Sequence, residues 1–262
     1  MKKQSGYSLI EIMIALLVGL IVVSATISIY VATVGSGSST IKSARLNHDL
    51  DAVMTLMIND IKRAGYWGRA KLNADSRNNP FTTATTNIQI PASIPPNSCI
   101  LYTYDADGDG FVDPDEYYGF QLRNIKNTPP IIDTIRMRKT DTATADCTDE
   151  NWEEFIDSTQ LTIDNLQFSF TQVDVNGDTD FTDGIDLPAT SRCLNVTTNT
   201  SYVPPVLPPV TNDICSDPPG NNVVEKRVVN IRLTGHITSD INVIKTINGT
   251  VEVRNSRVRL IP

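Results

Sequence analysis

The chain has 262 residues, with 22 Lys and Arg against 30 Asp and Glu and a formal net charge of −8 at pH 7. That length allows one domain with an added segment, or two small domains. The acidic balance argues against a nucleic-acid partner, because phosphate binding needs clustered Lys and Arg. Eleven of the thirty carboxylates fall within residues 105–116 and 174–186, so the acidity is local and points to metal sites more than to general solubility.

The first element is apolar. Met1-Lys-Lys-Gln-Ser-Gly6 precedes a run from Tyr7 to Val34 whose only charge is Glu11, and no charge follows until Lys42. A helix of about 28 residues measures about 42 Å, more than the roughly 30 Å hydrocarbon core. The run therefore predicts a tilted single pass through a membrane. Lys2 and Lys3 mark the cytoplasmic side, and everything after the run is expected outside the cytoplasm. A lone carboxylate in a bilayer costs about 2.5–3.5 kcal/mol, so Glu11 needs a partner. An ordinary signal peptide is cut after its apolar region, and no Ala-x-Ala pattern closes this one.

These residues resemble the N-terminus of a type IV prepilin. Gly6 matches the residue before the peptidase cut, Tyr7 stands where the family usually has Phe, and Ser8-Leu9-Ile10-Glu11 matches the motif that follows. The resemblance implies processing at Gly6 and Tyr7 by prepilin peptidase, N-methylation of Tyr7, and pairing of Glu11 with the amine of a neighbouring subunit during fibre assembly. A buried charge is tolerable only when paired, and the new α-amine has the same need. Loss of residues 1–6 leaves 20 basic against 30 acidic side chains, a net charge near −10.

Past Gly35-Ser-Gly37, a weak point in a helix, helical spacing returns with Leu46, Leu50, Val53, Met54, Met57, Ile61 and Ala64. Lys42, Arg45, Asp49, Asp60 and Lys62 occupy the opposite face. One helix over 7–64 would be about 87 Å long, apolar all round in its first half and needing a sheet against one stripe in its second. Gly65 is a natural stop. The ending Arg63-Ala-Gly65-Tyr66 is similar to that of minor pilins of the PilW family. Tyr66 and Trp67 read as packing of the helix end rather than as a contact patch. The resemblance implies an α+β, type IV pilin-like fold: a long N-terminal helix on an antiparallel β-sheet domain with long loops.

Beyond residue 70 the pattern predicts strands at 98–104, 117–123, 131–138, 160–172, 226–235 and 250–260. Alternation of Val229, Ile231 and Leu233 with Asn230, Arg232 and Thr234 marks a half-buried strand. Residues 187–222, rich in Pro, Thr and Asn, read as a long irregular excursion. The four cysteines, Cys99, Cys147, Cys193 and Cys215, imply two disulfides in an exported chain. Three connectivities exist. Cys99–Cys147 with Cys193–Cys215 is favoured because each closes a local loop, the second stabilising the excursion by roughly 3 kcal/mol.

Two acidic stretches carry the candidate chemistry. Asp105-Ala-Asp107-Gly-Asp109-Gly110-Phe111-Val-Asp113-Pro-Asp115-Glu116 fills a twelve-residue calcium loop at every ligand position. Asp105, Asp107 and Asp109 offer side-chain oxygens, Phe111 its carbonyl, Asp113 a direct or water-mediated ligand, and Glu116 both oxygens. The flanks, Ile100–Tyr104 and Tyr117–Phe120, read as strands, so the expectation is an EF-hand-like loop between β elements. The second stretch begins with Asp174, Asn176 and Asp178 at positions one, three and five. It departs from the template with Thr179 at six and Asp186 one residue late, and Asp180 and Asp183 stand ready to join instead. Calcium is the expected cofactor, in a structural role.

No Gly-x-Ser-x-Gly, Walker loop or His/Cys ligand cluster occurs, and no enzyme activity is expected. The reading is a minor pilin acting in pilus assembly and initiation, with prepilin peptidase, other minor and major pilins, the inner membrane and a tip adhesin as partners. Its parts are a leader (1–6), a membrane and fibre-core half-helix (7–35), an amphipathic half-helix (36–68) and a β-rich periplasmic or surface domain (69–262). Two rivals are a minor pseudopilin of a type II secretion system and an adhesive module on a pilin stalk, for which 187–222 would be the contact surface.

Overall fold

The computed structural model describes residues 8–70, 75–91, 93, 95–124, 133–138, 147, 152–170, 191–202, 215 and 218–261. It divides into two units, residues 1–45 and 46–262. In the first, helix α1 (Leu9–Ile61) runs from Leu9 with nearly every residue exposed. An apolar surface of that length is what a bilayer or a bundle of like helices would cover. Glu11 lies exposed in its first turn, where the helix dipole favours a carboxylate. The helix does not break at Gly35 or Gly37: Thr40 Oγ1 donates to Ser36 O at 2.9 Å across that stretch.

In the second unit α1 becomes one-sided. Leu46, Leu50, Val53, Met54, Met57 and Ile61 are buried, as the spacing predicted. Asp60 differs from the sequence reading. It turns to the sheet instead of to solvent, accepting from Tyr102 Oη at 2.6 Å and Tyr104 Oη at 3.1 Å. Helix geometry ends at Ile61, and Gly65, at φ +71°, turns the chain while its N–H donates to Thr103 O at 2.8 Å.

Among the described residues, eleven strands, all in antiparallel pairs, form three sheets. Their ranges are β1 (Cys99–Thr103), β2 (Tyr117–Asn124), β3 (Asp133–Arg138), β4 (Trp152–Glu154), β5 (Leu161–Ser169), β6 (Arg192–Asn195), β7 (Thr200–Tyr202), β8 (Asn222–Lys226), β9 (Val228–Ile237), β10 (Asp240–Glu252) and β11 (Arg257–Leu260). The sheet orders are β1-β2-β3-β4, β10-β9-β5 and β11-β8-β6-β7. Val229, Ile231 and Leu233 of β9 are fully buried in the core shared with α1. Two glycines let the helix approach: a Cβ on Gly235 would meet Thr162 O at 2.8 Å and Leu50 Cδ2 at 3.3 Å, and one on Gly249 would meet Met54 Sδ at 2.5 Å.

Two expectations need correction. The single strand over 250–260 is the end of β10 and all of β11, separated by a turn at residues 253–256. The expected irregular excursion at 187–222 contains regular structure among its described residues, because β6 and β7 form a hairpin inside it. Both disulfides take the local pairing: Cys99–Cys147 with Cα atoms 6.3 Å apart, and Cys193–Cys215 with 5.7 Å.

Candidate metal site

Strands β1 and β2 pair antiparallel, with Thr103 opposite Tyr117, so residues 104–116 close a hairpin between strands as expected. Inside that loop the carboxylates of Asp105, Asp107 and Asp109 are held by backbone N–H groups. Asp105 is 2% exposed; its Oδ1 accepts from Gly108 N at 2.6 Å and its Oδ2 from Gly110 N at 3.0 Å. Asp107 Oδ1 accepts from Asp109 N at 2.9 Å, and Asp109 Oδ1 from Phe111 N at 2.8 Å. These are the local turns that Asp side chains favour. Gly108 and Gly110 sit at φ +81° and +82°, a left-handed conformation that glycine adopts without strain.

One oxygen each from Asp105, Asp107 and Asp109 lies within 4.8 Å of the others. Two oxygens bound to one calcium at about 2.3–2.6 Å stand at most about 5 Å apart, so this spacing suits that ion. The donor set is all hard oxygen, which also suits it. Glu116, buried, spans the loop: Oε1 accepts from Ala106 N at 2.6 Å and Oε2 from Asp113 N at 3.1 Å. The Phe111 side chain stands 62% exposed. Crowding leaves an electrostatic mark. Desolvation, then Asp109, Asp107, Asp115 and Asp105, push the Asp113 carboxyl above its ordinary range. Desolvation also raises Glu116, against the backbone N–H groups of Asp113 and Ala106 and with the help of Asp105 and Asp107. A divalent cation would relieve both.

A second segment grips the loop from outside; sequence reading expected Tyr66 and Trp67 to pack the helix end but did not place them against this loop. Asp105 N donates to Tyr66 O at 3.0 Å, Gly68 N to Asp105 Oδ2 at 2.8 Å, and Trp67 Nε1 to Gly110 O at 3.2 Å. The Arg69 guanidinium lies 5.3 Å from the Phe111 ring centroid. A Cβ on Gly68 would sit 2.9 Å from Gly108 Cα. The stretch after α1 thus lies along the loop, and Trp67 is half-buried there while Tyr66 stays 48% exposed. The glycines at 65 and 68 flanking an aromatic pair were the available signal.

Of the other candidate residues, Gly6 and Tyr7 lie outside the described residues. So does the whole second loop, with Asp174, Asn176, Asp178, Asp180 and Asp186. A buried ionic cluster also escaped the sequence reading. Glu225, fully buried, is bound by Arg227 Nη2 at 2.7 Å and Arg259 Nε at 2.6 Å, with Arg257 Nη1 at 3.6 Å.

A long N-terminal helix with an apolar, singly charged start, joined to an antiparallel β unit, defines a pilin-like subunit. Residues 1–27 match the prokaryotic N-terminal methylation motif, and residues 39–253 match the family of prepilin peptidase-dependent protein B. The chain belongs to the prepilin peptidase-dependent protein B family. It is a prepilin-like protein, processed by the peptidase and assembling with other pilins, of a kind with structural subunits rather than enzymes. No curated protein and no solved structure matches it.

Proposed function

We propose that this chain is a minor pilin of the PilW type that promotes the start of type IV pilus assembly. The observation that carries the reading is the methylation motif at residues 1–27 joined to an exposed apolar helix whose single early charge is Glu11. In the membrane that helix holds the subunit, with the β unit on the periplasmic side. In a fibre it packs among other helices, and Glu11 answers the amine of a neighbouring Tyr7. The β unit then forms the surface and meets minor pilins and a tip adhesin. The loop at 105–116 holds calcium, which staples the β1–β2 hairpin to the segment following α1; the acidic stretch at 174–186 is a second, less regular loop of the same kind.

The test is the amount of sheared surface pili from a strain lacking this chain, with and without its retraction motor. Loss of pili that is partly restored when retraction is removed is the expected result. Normal pili with failed protein secretion would move the chain to the pseudopilins, and normal pili with poor attachment would make it an adhesive module.

A further inference from the structure

Sheet β11-β8-β6-β7 is inverted. An antiparallel sheet with one wet face normally turns aliphatics inward and polar side chains outward. Directly opposed residues share a face, so the registers sort these strands. Cys193 and Asn195 of β6, Val223 and Glu225 of β8, and Arg257 and Arg259 of β11 point one way. The first four are buried, and the two arginines turn onto Glu225. The opposite face carries Leu194, Val224, Val258 and Leu260. Val196, just past β6, continues it by donating its N–H to Asn222 O at 2.8 Å. Leu194 is 39% exposed, Val196 53% and Leu260 50%, with Val224 and Val258 half-buried beside them. Five aliphatics on one regular face make a contiguous patch of the kind that marks a protein contact. A one-residue slip would bury them and expel Glu225, so the buried ionic cluster holds the aliphatics outward.

Charge tells what the patch receives. At one end Arg192 and Lys226 stand directly opposite each other, a like-charged pair that costs stability. Glu252 binds Lys226 at 2.9 Å, whereas Arg192, exposed, has no ion pair or hydrogen bond among the described residues. The other end is neutral: Arg77, 3.4 Å from Asn222 Oδ1, is held by Asp75 at 2.6 Å. No Asp or Glu occupies an outward position of β6, β8 or β11. Two copies joined face to face would therefore bury Arg192 without a counter-charge, which is costly. The surface that fits is a different one, apolar with a carboxylate at one edge.

We propose that this face docks another pilin subunit, which lays aliphatic side chains over Leu194, Val224 and Val258 and aims a carboxylate at Arg192. This rests on the chain's assembly with other pilins. The single charged end fixes which way round the partner sits, because a reversed partner would leave both charges without a match.

The test puts photo-crosslinking p-benzoylphenylalanine into the full chain, in cells that make its companion pilins, in place of Leu194, of Val258, of Lys245 outside the face, or of Ile21 in α1. Leu194 and Val258 are expected to give an adduct with one other pilin, and Lys245 none. Adding Arg192→Glu should reduce that adduct about tenfold or more. Exchanging a carboxylate on the cross-linked partner surface for Arg should then restore it, which a merely misfolded variant would not allow. No adduct from the face, an adduct with a second copy, an adduct unmoved by Arg192→Glu, or a loss that no such exchange restores overturns the proposal. Adducts from Ile21 alone would also overturn it while leaving assembly standing; no pilin adduct from any position would overturn assembly itself.

Discussion

Glu225 shows how a single residue constrains this fold. Burial alone would raise its pKa, yet the charges of Arg227 and Arg257, with hydrogen bonds from Arg227 and Arg259, hold it below the ordinary glutamate value. Arg227 is buried as well and donates to Ile88 O at 2.7 Å. Removing one partner of a buried ion pair costs about 3–5 kcal/mol. Glu225→Gln is expected to lose about that much in denaturant unfolding, and a loss near that of an exposed pair, below about 1 kcal/mol, would contradict it. The pH dependence has a definite sign. A carboxylate depressed in the folded state adds stability that is present above its unfolded pKa, about 4.3, and is lost as pH falls through the folded value. Asp113 and Glu116 are raised, so without metal they act oppositely: the loop weakens the fold as pH rises through their folded values. Chelated protein should therefore gain stability from these two groups as pH falls through their folded values toward the ordinary carboxylate range, and excess calcium should remove that gain. Equal pH profiles of melting temperature with and without calcium would contradict the loop reading. The gathering of Asp105, Asp107 and Asp109 was legible because their alternate spacing within one short loop brings their oxygens together. The grip of Gly68 on Asp105 was not, because nothing local relates residues 37 apart in sequence.

At the scale of elements, the two glycines under α1 separate rigid from yielding contacts. A Cβ on Gly235 meets a backbone oxygen, Thr162 O, at 2.8 Å, which cannot move without the β5–β9 pairing. A Cβ on Gly249 meets the thioether of Met54, which can rotate away. Overpacking costs about 1–3 kcal/mol. Gly235→Ala is expected in that range and Gly249→Ala at its lower end or below, read from urea midpoints at constant m-value; the reverse order would show that the helix sits differently on β9 and β10. The long helix was legible, since apolar runs and three-and-four spacing arise from one face of one element. Strand β10 was not recognised before residue 250. Its burial alternates weakly because it lies at a sheet edge, so Asp240–Gly249 carried little period-two contrast. Strand β8 was missed for a different reason. Its inward side chains are Val223 and Glu225, and a buried Glu disguises the alternation.

For the whole molecule, stability is divided among a core, two disulfides and the proposed cation. Loops closed over separations of 48 and 22 residues correspond to roughly 3–4 kcal/mol each by loop entropy. Calcium at a hundred times its dissociation constant would add about 2.7 kcal/mol, or about 5–10 °C in melting temperature for a unit of this size. Chelation of the full chain in detergent should lower its melting temperature by that order. An unchanged value, with no metal in the purified protein, would end the calcium proposal while leaving the pilin reading intact. Fold class was legible because the membrane motif announces the helix. The three-sheet arrangement was not, because sheet order depends on long-range pairings such as β5 with β9.

The most direct measurement is quantitative mass spectrometry of pili sheared from a strain unable to retract them. The account expects peptides of this chain at low copy beside an abundant major pilin, beginning at an N-methylated Tyr7. Fibres that lack this chain altogether, with the subunit remaining in the membrane and pili undiminished by its deletion, would contradict the assignment to pilus assembly.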